Sequence, residues 1–266
     1  MQPACLQPEG IWVISMDWRT PVAEVIVGGV SSRDVVMFDV SAFRQHVMAT
    51  ANVELSNVLG EFPNEIKNND SIVVKTGYAD SDLWPVFTGS VLHADNQEII
   101  KLKCQCKNRQ LLDTIITRTY QNEEAGAIMR HLLMGLDYTN LNISELRSKL
   151  DKLPLVDESI KQAIDAMHQR LNLSHCCYTD ASGEFFWNVE DDISADTITI
   201  ADDDVFAFDS HAGGIYTLDM FGRDIWHSSR IIKAETEYLV MGVAHQFGKN
   251  KSGYHCRLWL KEAQSA

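Results

Sequence analysis

The chain has 266 residues, 45% hydrophobic and 23% charged, with 23 Lys and Arg against 37 Asp and Glu, a net charge of −14. These proportions exclude a disordered or collagen-like chain, and the length suits about two domains at ~150 residues each. No apolar run reaches the ~20 residues of a membrane-spanning helix, so no stable membrane insertion is expected.

The first residues, Met1-Gln2-Pro3-Ala4-Cys5, lack the basic-then-apolar order of a signal peptide. The first hundred residues then read as short strands. Residues 11–14, 24–30 and 35–40 are apolar and β-branched, and 53–55, 71–76 and 86–92 continue the pattern between turns rich in Gly, Pro and Asn. Residues 101–107 alternate most cleanly. Ile100, Leu102, Cys104 and Cys106 take one face, and Lys101, Lys103, Gln105 and Lys107 the other, as in an antiparallel sheet with one wet face.

The period then changes. Ile128, Met129, Leu132, Leu133 and Leu136 predict a helix over 123–136, and Ile160, Ile164, Met167 and Leu171 a second over 157–171, with Asp157 as N-cap after Pro154. Leu141, Ile143, Leu146 and Leu150 suggest a shorter helix entered by Ser144. Strand patterns return at 177–179 and 185–187 around the turn Asp180-Ala181-Ser182-Gly183, then at 197–200, 205–208, 215–220 and 229–234. The closing pair, 238–246 and 254–261, is long.

The expected fold is mainly β with a helical insertion: two antiparallel β-barrel-like domains bridged by α-helices. The divisions are 1–110, 111–175 and 176–266, with room for strands of the last to pair with the first.

Catalytic motifs are missing: there is no G-x-S-x-G, phosphate-binding Gly-rich loop or H-E-x-x-H. Cys256 with His255 or His245 could form a Cys–His pair, but neighbouring residues 255 and 256 point to opposite sheet faces. His175, Cys176 and Cys177 are the one soft-metal cluster, weighed against buried free thiols. Asp191-Asp192 and Asp202-Asp203-Asp204 read as solvated loops or as one wall of a channel past which a polyanion slides, and Asp202, Asp203 and Asp204 also as oxygen ligands for calcium. No catalytic residue, metal site or cofactor is assigned; Asp202, Asp203 and Asp204 are taken as channel-lining.

Three stretches carry a family resemblance. Val53-Glu54-Leu55 with Asp70-Ser71-Ile72-Val73-Val74-Lys75-Thr76-Gly77-Tyr78 and Val86-Phe87-Thr88-Gly89-Ser90-Val91 is similar to the first barrel of tailed-phage baseplate or tail-tip hub proteins. The second helix, followed by Asp180-Ala181-Ser182-Gly183, resembles that family's helix and hairpin. The segment from Tyr238 through His245-Gln246-Phe247 to Tyr254-His255-Cys256-Arg257-Leu258-Trp259-Leu260 resembles the closing hairpin of late-control-D-type hubs.

The resemblance implies a non-enzymatic structural protein of the virion tail tip, made in the host cytoplasm. Such a hub forms a homotrimeric ring whose two barrels per subunit match a six-fold tail tube to a three-fold spike. Implied partners are the tail tube or distal tail protein, a central spike or fibre, and the tape-measure protein, with DNA passing through without specific binding. A tail-tip cell-wall hydrolase and a host-receptor-binding tip are the competing readings.

Overall fold

The structure, a computed structural model, describes residues 20–263 except 45–46, 59, 61, 63–64, 139, 174–176, 188–196 and 249–252. The expected strand at 11–14 lies outside the described residues, as do Asp191, Asp192, His175 and Cys176.

Seven strands open the fold: β1 (Pro21–Val27), β2 (Val30–Ser32), β3 (Val35–Phe43), β4 (Thr50–Ser56), β5 (Ser71–Tyr78), β6 (Trp84–Asp95) and β7 (Ile99–Cys106). The strand expected to run through Val30 instead reverses at Gly28-Gly29, whose φ values of 55° and 86° are those of a two-residue hairpin turn. In β7 the alternation falls as read: Ile100, Leu102, Cys104 and Cys106 are buried, while Lys101 and Lys103 are exposed.

The middle of the chain departs from expectation. It holds α1 (Arg109–Asp113), β8 (Ile115–Glu124), α2 (Ala125–Leu133), β9 (Leu141–Ile143), β10 (Lys149–Ser159), α3 (Ile160–Leu171), β11 (Cys177–Thr179) and β12 (Phe185–Trp187). Two helices are where the 3.6 period put them, but a long β8–β10 ribbon accompanies them. The helix expected between them is absent. Leu141 and Ile143 lie on β9, parallel to β12, and Leu150 on β10. Leu150, Leu153 and Leu155 of β10 turn into a core with Tyr120, Ile128, Ile164, Met167 and Trp187. Pro154 is exposed on a two-stranded ribbon, where a missing donor is tolerated.

The N-cap of α3 is also corrected. Ser159, not Asp157, caps it: Ser159 Oγ accepts from Gln162 N at 3.2 Å, and Ser159 N donates to Gln162 Oε1 at 2.8 Å. Asp157 sits in a β-bulge at φ 54°, its carboxylate accepting from Thr117 Oγ1 at 2.8 Å.

The last strands are β13 (Ile198–Thr199), β14 (Val205–His211), β15 (Ile215–Phe221), β16 (Arg230–Lys233), β17 (Thr236–Gly248) and β18 (Gly253–Glu262). They join the first seven in one thirteen-stranded sheet, ordered β14-β15-β18-β17-β3-β4-β7-β6-β5-β1-β2, with β16 on β17 and β13 on β16. The seam between the halves is β3 against β17, where Phe38 faces Phe247 with ring centroids 5.5 Å apart. One core serves both halves, with Val25, Phe38, Leu55 and Leu102 beside Met220, Val243, Leu258 and Leu260.

The sheet coils on itself. Tyr78 on β5 and Tyr254 on β18 are six strands apart along the ladder, yet their ring centroids are 6.3 Å apart. Gly222 makes this approach possible, because a Cβ there would lie 1.9 Å from the Tyr254 ring. Among the described residues no helix is long and apolar enough to cross a membrane.

Candidate assembly surface

The catalytic candidates fold into the core. Cys256 and His245 are cross-strand neighbours on β18 and β17, both at 1% exposure. Both nitrogens of His245 are engaged: Nε2 donates to the Ile225 carbonyl at 3.0 Å, leaving Nδ1 to accept from the Tyr254 hydroxyl at 2.7 Å. Burial lowers the His245 pKa to about 4 and pushes the Cys256 thiol up. A thiol held protonated beside a fully bonded imidazole is core packing, not an activated nucleophile. His255, on the opposite face, packs against Phe206 at 5.2 Å.

Two carboxylates do share a cleft. Glu124 and Glu145 line a 370 Å³ depression at the start of α2, together with Arg130 and Arg147. The two guanidinium groups share that lining, so the depression is a mixed-charge surface. Cys177 is buried in β11, and among the described residues no three His, Cys, Asp or Glu side chains converge on a metal position.

The three aspartates assigned to a channel occupy a single 3-10 turn ahead of β14 and meet different surroundings. Asp204 is buried and accepts from Arg223 Nη2 at 3.1 Å, while the same guanidinium reaches the Thr199 carbonyl through Nη1 at 3.3 Å. Asp202 pairs with Lys233, and Asp203 is exposed. The run is therefore one structural ion pair, one surface ion pair and one solvent-facing carboxylate.

A wider charge pattern surrounds this turn. Between Arg170 and Arg223, the 52 residues 171–222 contain 11 Asp or Glu and no Lys or Arg. Those 11 charges can be set against the whole-chain excess of 14. The signal for it in the residues is the absence of cations between two arginines, a span far wider than the short aspartate runs.

Strand β14 lies in the later part of that segment, after nine of its 11 acidic residues, and forms one end of the sheet. A bulge between Val205 and Ala207 sets its side chains. Phe206 turns to the outer face, 4.5 Å from the Phe221 ring, and remains 52% exposed. Phe208 faces the other side against Tyr216 and Tyr238, at 5.6 and 5.9 Å, and is 38% exposed. Beside them Arg257 grips Asp219 bidentately, at 2.5 and 2.7 Å. Exposed aromatics beside an unpaired edge make this the most interface-like surface among the described residues.

The second core is fixed to the large sheet through a polar joint. Asn108, fully buried, donates to the Val47 carbonyl at 2.5 Å and to Thr179 Oγ1 at 3.3 Å, and accepts from the Tyr138 hydroxyl at 2.8 Å. Trp226 Nε1 donates to the Thr179 carbonyl at 3.2 Å, and Thr88 Oγ1 to the Ala181 carbonyl at 2.8 Å. His227 meets Tyr178 edge-on at 5.1 Å.

No protein-family model and no curated protein sequence matches the chain. Solved structures do. A 43 kDa tail protein of prophage MuSo2 from Shewanella oneidensis superposes with a TM-score of 0.70 at 11% identity, covering 91% of this chain and 97% of its own. A tail protein from Neisseria meningitidis MC58 follows at 0.66 and 12% identity, covering 92% and 97%. This chain has the fold of phage tail proteins. The same fold extends to an Escherichia coli component of the type VI secretion system, described as similar to the T4 tail proteins gp27 and gp5. That match has a TM-score of 0.65 at 11% identity, covering 91% of this chain and 77% of the other.

Proposed function

We propose that the protein is a non-enzymatic structural subunit of a phage or phage-derived tail tip. The observation that carries this reading is the end-to-end correspondence of fold with two phage tail proteins, each covered almost completely. The core placement of Cys256 and His245 supports a structural role.

In this reading three copies close into a ring, a hub of the late-control-D type. The N-terminal and C-terminal halves of each coiled sheet act as two barrel-like units. Three copies then present six units to the tail tube or distal tail protein and three-fold symmetry to a central spike or fibre, with the tape-measure protein above. The heterologous contacts of a cyclic ring suit a subunit whose exposed edges differ from one another.

DNA passes through the ring without specific binding. The acidic segment, with Asp202 and Asp203 toward solvent and Asp204 anchoring the turn, supplies the repulsion that prevents retention. The match to a type VI secretion component supports a second reading, in which the same ring serves an injection device that carries protein rather than DNA.

Immunogold electron microscopy of purified tails with an antibody to this chain tests the placement. Label confined to one end of the tube is expected; label along the tube, or none on assembled tails, would contradict it.

A further inference from the structure

The two ends of the main strand order, β14 to β2, are unequal. At one end β2 offers three residues; at the other β14 offers seven, Val205-Phe206-Ala207-Phe208-Asp209-Ser210-His211, and among the described residues it pairs with β15 alone. Edge strands that must stay unpaired usually carry Lys or Pro, or lie beneath another element. Strand β14 has neither residue. Its bulge lies at the start, leaving 207–211 in regular register with β15. Phe206 and Phe208 stand on opposite faces beside the edge, so an added strand would find an aromatic seat on each side.

We infer that β14 is a docking edge for an extended, basic polypeptide segment, which adds to the sheet as its next strand. Charge selects the occupant. The edge lies inside the 52-residue segment that carries 11 acidic and no Lys or Arg residues, and Asp209 is exposed on the strand itself. A second copy pairing β14 against β14 would bring two such segments together, each with its exposed Asp209 on the shared ladder. Alternating Lys or Arg on the outer face would instead meet Asp209 and lay their stems on Phe206, while apolar residues between them cover Phe208 on the other face. The inference does not rest on the tail-tip reading, because it concerns the isolated chain.

The test uses the full chain and a fluorescent peptide alternating lysine and valine, with a glutamate–valine peptide as control. Ala207 and Ser210 are three residues apart and oppose Asp219 and Tyr216, so in an alternating ladder one of them directs its N–H to the free edge. Of Ala207→Pro and Ser210→Pro, the outward one keeps wild-type thermal unfolding.

The lysine peptide is expected to bind and the glutamate peptide not. The outward proline variant, unchanged in charge, should weaken binding about tenfold or more, and Phe206→Ser should weaken it similarly. Phe206→Ser also serves should both proline variants unfold. Absent binding, or equal binding by the proline variant and Phe206→Ser, overturns the inference, the second by reducing the contact to bulk charge. Wild-type self-association that these substitutions abolish overturns the occupant in favour of a second copy.

Discussion

The Tyr254 hydroxyl lies 2.7 Å from Nδ1 of His245, across the β17–β18 hairpin and wholly inside the protein. Around this pair the coiled sheet closes: Tyr78 and Trp84 approach the Tyr254 ring from β5 and β6, and Trp226 stacks on His245 at 6.1 Å. The Tyr78 hydroxyl donates to the Gly222 carbonyl at 3.0 Å, and Gly222 N donates to the Tyr254 carbonyl at 3.0 Å. Residues far apart in sequence thus share one hydrogen-bonded, aromatic centre.

Removing the hydroxyl tests that centre. Tyr254→Phe leaves Nδ1 of His245 buried without its donor and should cost about 1–3 kcal/mol in urea unfolding. A change within error would mean that the pair contributes nothing to closing the sheet.

Gly222→Ala asks whether the ring has room to move. Its Cβ would overlap Tyr254 at 1.9 Å, so the ring must shift or the loop must open. The expected loss is about 1–3 kcal/mol or more, with altered near-ultraviolet dichroism from the displaced aromatics. Wild-type stability and spectrum would contradict the packing.

Acid should weaken the fold through two buried histidines. Burial lowers His245 to about 4 and His227, helped by nearby Arg44, to about 3. An unfolded histidine takes its proton near pH 6.5. As the pH falls from about 6.5 toward 4, the unfolded chain therefore binds protons that the folded chain refuses, and stability is lost. The two sites together contribute a slope of up to about 2.7 kcal/mol per pH unit. Urea titrations at pH 7.5, 6 and 5 should give falling midpoints; a midpoint rising toward pH 5 would reverse the sign.

The ion pair under the acidic turn makes a further structural prediction. Arg223→Met leaves Asp204 buried without its cation and should cost on the order of 2–4 kcal/mol. Asp203→Asn, at an exposed neighbour, should stay within about 0.5 kcal/mol. Equal effects would mean that the turn does not separate anchor from surface.

Much of this was legible in the residues. The alternation of β7 and the long closing hairpin name their own faces, because a period of two with one wet side has few other readings. The helix stripes of α2 and α3 were equally clear. Leu141, Ile143, Leu146 and Leu150 misled because sparse leucines at spacings of two to four satisfy both periods, and only the partners β12 and β8 decide between them.

Ser159 and Gln162 spell the capping box of α3, yet Asp157 is the first cap-type residue after Pro154, and only the hydrogen bonds separate the two. The β3–β17 seam lies beyond local reading, since residues 40 and 245 meet only through the sheet order. At the surface the short Asp202–Asp204 run was visible, while the cation-free span around β14 needed a wider window and the edge itself needed the topology.

The central claim, a ring-forming tail subunit, is met most directly by the mass of the purified protein in solution. The chain weighs 30.0 kDa, so a closed trimer has a mass of about 90 kDa. Native mass spectrometry or mass photometry across a concentration series should find that species and three-fold class averages in electron micrographs. A 30.0 kDa monomer at every concentration, or a closed ring of another order, would contradict it.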